Sequence, residues 1–319
     1  GLPGRLGNTW IDDPDGYYAA FEVAGYGFAV HPGYLKQQGL PEPTDWADLA
    51  DGRYAGHLVV PNPGKVGFAP PLADIPLQAY GWERGWAMWS AVAANGALAE
   101  SGGNFVGDEL ATGRRGIGLS IDFFVAGAIA RGAPLRFVYP RHGGVNPAQA
   151  AIMAGAGNAD GARAFVSYLL SAAGQKLLVH PDIRRLPVRP AAYAGLEAGY
   201  YNPFAAAEAG GYGYDSHRGL GRLPVVAALF DTVLAGRQAD LARLWAAARR
   251  AEGAKGDEAR RLLALVPLDE AGADRGEVQQ VFARRDEDEA AKAAALVLEQ
   301  AWAADRDQRF ARVAELVAA

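Results

Sequence analysis

Val59-Val60-Pro61-Asn62-Pro63-Gly64-Lys65-Val66-Gly67 decides how the first half of the chain reads. A short β-rich run, His57–Val60, stops at a Pro-Asn-Pro-Gly turn, and the chain then moves toward a helical pattern. Working outward, Phe21–Val30, Gly116–Ile121 and Leu135–Tyr139 read as further strands, each rich in β-branched or aromatic residues and bounded by Gly or Pro. Leu77–Asn95, Val106–Arg114 and Phe123–Arg131 read as helices between them. Strands alternating with helices of about 10–15 residues specify an α/β sheet.

The character changes after residue 155. Asn158 can cap a helix, and the helix it would start carries Ala162, Phe165, Val166, Leu169 and Leu170 at i, i+3, i+4, i+7, i+8, an apolar face. Leu241, Leu244 and Trp245 make another. Beyond Gly253 the chain is rich in Ala, Arg and Glu, with helices expected near Asp257–Leu265, Glu287–Ala303 and Asp305–Val317. The mixed-sign run Arg284-Arg285-Asp286-Glu287-Asp288-Glu289 reads as a solvated helix surface. There is no internal repeat and no low-complexity linker.

Of 319 residues, 50% are hydrophobic and 21% charged, a globular balance that excludes a mainly disordered chain. A net charge of −5 argues against nucleic acid as a partner. No apolar run is expected to reach the ~18 residues of a membrane span; the richest, Leu119–Ala130, is interrupted by Asp122. With 0 cysteines, disulfides, thiolate nucleophiles and zinc–thiolate sites are all excluded. The chain opens Gly-Leu-Pro-Gly, so either a leader has been removed or the sequence starts inside a longer protein.

Little of the remaining chemistry specifies an enzyme. The 5 histidines show no metal-ligand spacing. Asp215-Ser216-His217 has the letters of a hydrolase triad, but neighbours in sequence cannot converge in that geometry. Gly64-Lys65 is followed by Val66, which breaks a Walker loop, and Gly155-Ala-Gly157-Asn-Ala-Asp-Gly161 misses the dinucleotide fingerprint by one position. Two features say more. The Gly-rich turn at Gly64 can offer free backbone N–H groups, with Lys65 adding positive charge, although an ordinary β–α connection with a surface Lys has the same letters. Asp122 ends a strand where ligands bind in open α/β sheets, and it can equally cap the helix that follows.

Pro43-Thr44-Asp45-Trp46-Ala47-Asp48-Leu49, followed by Arg53-Tyr54-Ala55-Gly56-His57-Leu58-Val59-Val60-Pro61-Asn62-Pro63, resembles the "P-x-x-W-x-D-L … y-x-G-x-l-x-v-P-x-P" signature of bacterial extracellular solute-binding proteins. These are the capture subunits of ABC importers, in the group that takes ferric ion, sugar phosphates and phosphoglycerate. The resemblance continues through Gly113–Phe124, Tyr139-Pro140, Ala162–Gln175 and Leu186-Pro187-Val188-Arg189-Pro190, so it covers residues 15–250 in order. The tail after residue 253 is similar to the long C-terminus of the phosphoglycerate-transport regulatory branch.

The resemblance implies an α/β, two-lobe periplasmic-binding-protein-like (type 2) fold that closes on ligand, with a helical C-terminal extension. Residues 1–29 would be the first crossing segment and a remnant of lobe 1, and 30–148 would form lobe 2. Residues 149–252 would return to the helical part of lobe 1, and 253–319 would be the extension. Family members carry further residues ahead of this chain's start, so the first lobe is expected to be incomplete. Where ferric-binding members have two adjacent tyrosines, this chain has Phe123-Phe124, and phenyl rings cannot coordinate a hard cation.

The implied function is a periplasmic, monomeric solute-binding protein for a small anionic, hydroxylated ligand, with no enzymatic activity, cofactor or metal. Lys65, Val66 and Gly67 would hold the anion, Asp122 would accept from hydroxyls, and Phe123, Tyr26 and Asn104 would line the cleft. The partner would be a membrane permease or, as an alternative, a sensor histidine kinase. The deaminases that share this fold attach their cofactor to a cysteine, which is lacking here.

Overall fold

A small hairpin of β1 (Arg5–Leu6) and β2 (Thr9–Trp10) leads into one long strand, β3 (Tyr18–Val30), in the computed structural model, which describes residues 2–100, 105–197 and 199–318. β4 (Leu58–Pro61), β5 (Gly96–Ala99), β6 (Ile117–Ile121) and β7 (Arg136–Val138) join β3 in the order β5-β4-β6-β3-β7. β8 (Val145–Ala151) and β9 (Leu186–Pro187) also pair with β3. β4 runs parallel to β5 and β6, whereas β3 is antiparallel to each of its partners. β3 changes partners along its length: residues 18–25 pair with β8, and from Tyr26 onward the partners are β6 and β7.

Helices cover both faces of the sheet. After α1 (Pro32–Gln38), α2 (Ala69–Tyr80) and α3 (Trp82–Asn95) bury Leu72, Leu77, Trp86 and Trp89 on the side where Tyr26, Phe28 and Val30 point. The opposite face, which includes Ala29 and Val59, is covered by α4 (Phe105–Ala111) and α5 (Asp122–Ala130) through Val106, Leu110, Val125 and Ala128. The strand period of two separates these faces. α6 (Ala159–Leu169), α7 (Ala172–Leu178) and α8 (Pro203–Glu208) follow β8.

The remaining helices are α9 (Ser216–Leu229), α10 (Gln238–Arg250), α11 (Gly253–Ala264), α12 (Glu270–Ala273), α13 (Gly276–Arg284) and α14 (Glu289–Val317). They do not stand apart. Phe230, Leu241, Leu244, Trp245, Leu263, Phe282, Trp302 and Phe310 share one core with α2, α3 and the sheet.

Several sequence expectations need correction. The helix expected over 77–95 is two helices, because Gly81 adopts φ 84 and lets α3 fold back along α2, where Gly85 lies against Leu77. The two helices expected over 287–303 and 305–317 are one, α14, which runs unbroken through Ala304. The mixed-sign run is largely the connection between α13 and α14, tied by Arg284–Asp288 and Arg285–Glu299. Asn158 does cap α6, accepting from the Gly161 N–H at 2.9 Å. The apolar face of α6 stays open: none of its residues is buried, and Phe165 is 64% exposed. Finally, Ser216–Arg250 is a helical run long and apolar enough by composition to cross a membrane. Half of its most apolar window is buried against the protein, and α9 packs on α2 and α13.

That run carries Arg222, which is fully buried and holds the equally buried Asp74 of α2 at 2.7 Å. Its third nitrogen reaches Glu270 of α12 at 3.1 Å. Removing one partner of such a pair strands a buried charge. Arg222→Met should therefore lower stability by about 3–5 kcal/mol in urea unfolding, and adding Asp74→Leu should recover most of the loss. A single mutant as stable as the parent would show that the pair does not hold α9 to α2.

Candidate functional site

Parallel β4 and β6 end side by side, and two turns leave their carboxyl ends. The turn after β4 starts at Asn62, which is fully buried. Its side-chain oxygen accepts the Gly64 N–H at 3.0 Å, and its backbone carbonyl takes the N–H groups of Lys65 (3.0 Å) and Val66 (2.8 Å). An Asn that closes its own turn consumes the donors a ligand would use. The expectation of free N–H groups at Gly64, Lys65 and Val66 is corrected accordingly. Val66 is buried, whereas Gly67 is exposed with open space around it. Lys65 is half exposed, and its ammonium lies 3.5 Å from Asp231.

The second turn is the start of α5. Asp122 sits there but does not cap the helix. Its carboxylate turns inward, where Oδ2 accepts the Gly25 N–H of β3 at 2.8 Å and the Tyr139 hydroxyl at 3.0 Å. Burial pushes its pKa up to about 7, although those bonds and Arg185 pull the other way. The inward carboxylate is thus not the open acceptor the sequence suggested. Tyr26, opposite Ile121 in register, is buried and held neutral by desolvation and then by Asp122. It lines a different cavity of about 220 Å³, with Trp10, Tyr214 and His217. Asn104 lies outside the described residues.

Phe123 faces the other way. The Arg185 guanidinium lies 4.0 Å above its ring, and Arg185 pairs with Glu22 of β3 at 2.9 Å. Burial raises the Glu22 pKa, and Arg185 opposes it. Phe123 packs on Phe124 at 4.2 Å and Phe124 on Phe68 at 5.5 Å, so an aromatic chain links Arg185 to the Lys65 loop. Behind Asp122, Tyr139 stacks on Tyr201 at 3.5 Å, and the Tyr201 and Tyr212 hydroxyls meet at 2.7 Å. A cleft of about 260 Å³ opens there, lined by Asp122, Arg136, Tyr139, Arg184, Tyr200 and Tyr201.

The structure therefore gathers Asp122, Phe123 and, through Phe68, the Lys65 loop. It adds Arg185, Glu22 and Tyr139, none of which the sequence singled out for the site. Arg185 stands one residue ahead of the Leu186-Pro187-Val188 motif, and only β9 pairing to β3 at Glu22 and Val23 carries it to Phe123. The Pro43–Leu49 motif proves architectural: Asp45 caps the turn at Trp46–Ala50 and bonds His142, and Trp46 is fully buried with its indole N–H on the His142 carbonyl.

The model of the bacterial extracellular solute-binding protein family matches residues 2–205. The chain belongs to this family. It is 30% identical over 258 residues to the phosphoglycerate transport regulatory protein PgtC of Salmonella typhimurium, covering 80% of this chain and 64% of that protein. It therefore spans less than two thirds of that relative's length. Among solved structures, a Bordetella ferric binding protein superposes with a TM-score of 0.54 at 22% identity, over 72% of each chain. The periplasmic binding protein AfuA of Actinobacillus pleuropneumoniae, with fructose-6-phosphate bound, gives 0.52 at 20% identity over 72% of this chain and 73% of that one. These likenesses show an α/β fold of the type 2 periplasmic binding proteins.

With its pKa near 7 in the fold against an ordinary 3.8, Asp122 keeps its proton while the unfolded chain loses one. Stability from this group is fully present below about pH 4 and is lost as pH rises through about 7. Asp122→Asn should flatten that fall in urea midpoints between about pH 4 and 8. An unchanged slope would show that Asp122 is ionised throughout.

Proposed function

We propose that the protein captures a small anionic, hydroxylated solute, a phosphorylated sugar or organic acid, in the periplasm and presents it to an ABC permease without chemistry. The observation that carries this reading is Arg185 lying on Phe123 at the carboxyl end of β6, joined through Phe124 and Phe68 to the Lys65 loop. Arg185 and Lys65 supply charge for the anion, and the phenyl rings supply an apolar face. Gly67 leaves room beside them. Asp122 acts by holding the turn in place. Residues 21–30 of β3 and 149–155, which begin at the end of β8, serve as the crossing segments between lobe 1 and a second lobe of residues 30–148, and closure about them encloses the solute.

A phosphorylated solute agrees with the names of PgtC and of the AfuA complex. Ferric ion fits less well, because Phe123 and Phe124 offer it no oxygen. The name of PgtC also supports a second reading, in which the partner is a membrane sensor kinase. Crosslinking in native membranes separates the two partners.

Calorimetry with sugar phosphates and phosphoglycerates tests the solute class. Arg185→Ala should weaken binding roughly 10- to 150-fold, the range for hydrogen bonds to a charged group. Lys65→Ala should cost less and reduce the salt dependence. Adding ferric ion should give no visible tyrosinate band. A stoichiometric coloured ferric complex, without affinity for any phosphorylated solute, would overturn this reading.

A further inference from the structure

The group that meets Lys65 comes from a distant part of the chain. Between α9 and α10 the helix widens into a π-helical segment, Phe230–Leu234, which carries Asp231. π-helical turns are rare and often sit at functional sites. Asp231 Oδ1 accepts from the Asn62 side-chain amide at 2.8 Å, and Oδ2 lies 3.5 Å from the Lys65 ammonium. A Cβ at Gly64 would fall 2.7 Å from the Asp231 Cβ, so the missing side chain is what lets the carboxylate reach the turn.

These contacts put Asp231 on the cation that an anionic solute would need. Gly64, Lys65 and Val66 have already spent their N–H groups inside the turn. The Lys65 ammonium is the charged group the turn still holds toward solvent, and Asp231 is paired with it while also holding the buried Asn62 amide. We infer that Asp231 is an internal competitor for the solute's anionic group, seated on the β4–α2 turn and displaced when solute binds. This rests on the reading of the Lys65 turn as part of the solute site.

Both charges are partly in solvent, at 50% exposure for Lys65 and 36% for Asp231, so the pair is weak enough to exchange. Exchange also has a route to the C-terminal helices. The carbonyl of the next residue, Thr232, accepts from Arg306 of α14 at 2.5 Å, and Glu299 of α14 feels both Asp231 and Lys65. Solute that displaces Asp231 therefore perturbs a segment bonded directly to α14, and occupancy is linked to that layer.

Inorganic phosphate titrated into the wild-type protein, Asp231→Asn, Lys65→Ala and the double variant tests the inference. Asn at 231 keeps an acceptor for Asn62 and removes only the charge, and melting temperatures confirm that each variant folds. Asp231→Asn should bind phosphate about two- to fivefold more tightly, as expected for removal of a partly exposed ion pair. The gain should disappear in the Lys65→Ala background and shrink at high salt. A folded Asp231→Asn that binds phosphate no better than wild type removes Asp231 from the mechanism and leaves the anion reading standing. If no variant binds phosphate or any sugar phosphate, the anion reading fails and the competitor role falls with it.

Discussion

The carboxylate of Asp122 joins the three segments on which the site is built. It receives the Gly25 N–H at the residue where β3 leaves β8 for β6, and the hydroxyl of Tyr139, just past β7. The contact tolerates no bulk. A Cβ on Gly25 would stand 2.5 Å from the Tyr139 ring. Two donors do not offset the loss of water around the charge, so the group stays close to half-protonated near neutral pH. A strand that must serve two sets of partners is thereby fastened at its point of change.

The C-terminal helices depend on buried arginines for a related reason. Arg222 joins α9 to α2 and α12, Arg306 reaches the Thr232 carbonyl, and Arg309 of α14 reaches the carbonyls of Leu262 and Leu265. Exposed carbonyls at helix ends need donors when the ends are covered. A guanidinium provides several at the end of an apolar stem, so it can satisfy a covered helix end while its stem packs in the core. This is why an Arg-rich, mixed-charge tail can share a core with the sheet.

At the site itself, the polar groups sort by depth. Asp122 and Asn62 are buried and satisfy backbone groups, which sets the shape of the two turns. Arg185 and Lys65 keep part of their surface in water, each paired with one carboxylate, Glu22 or Asp231. Buried polar groups are committed by the cost of leaving them unpaired, whereas partly exposed ion pairs exchange at small cost. The first kind makes a scaffold and the second kind can meet a solute.

Much of the architecture was present in the sequence. The strand at Gly116–Ile121, the turn after Val60, the Asn158 cap and the buried face of Leu241, Leu244 and Trp245 all follow from local pattern, because each depends on neighbours within a turn or two. The family likewise followed from ordered short motifs. What local pattern could not supply was direction and partnership. Asp122 had the position of both a ligand group and a cap, and its inward turn is decided by Gly25, far away in sequence. The Gly64 turn had the letters of an anion loop, and only Asn62 and a π-helical Asp231 show where its donors go. Arg185 reached the site through strand pairing with β3. The α6 face had the right period but no cover among the described residues. Periodicity reports which residues can be buried, and the packing of distant elements decides which of them are.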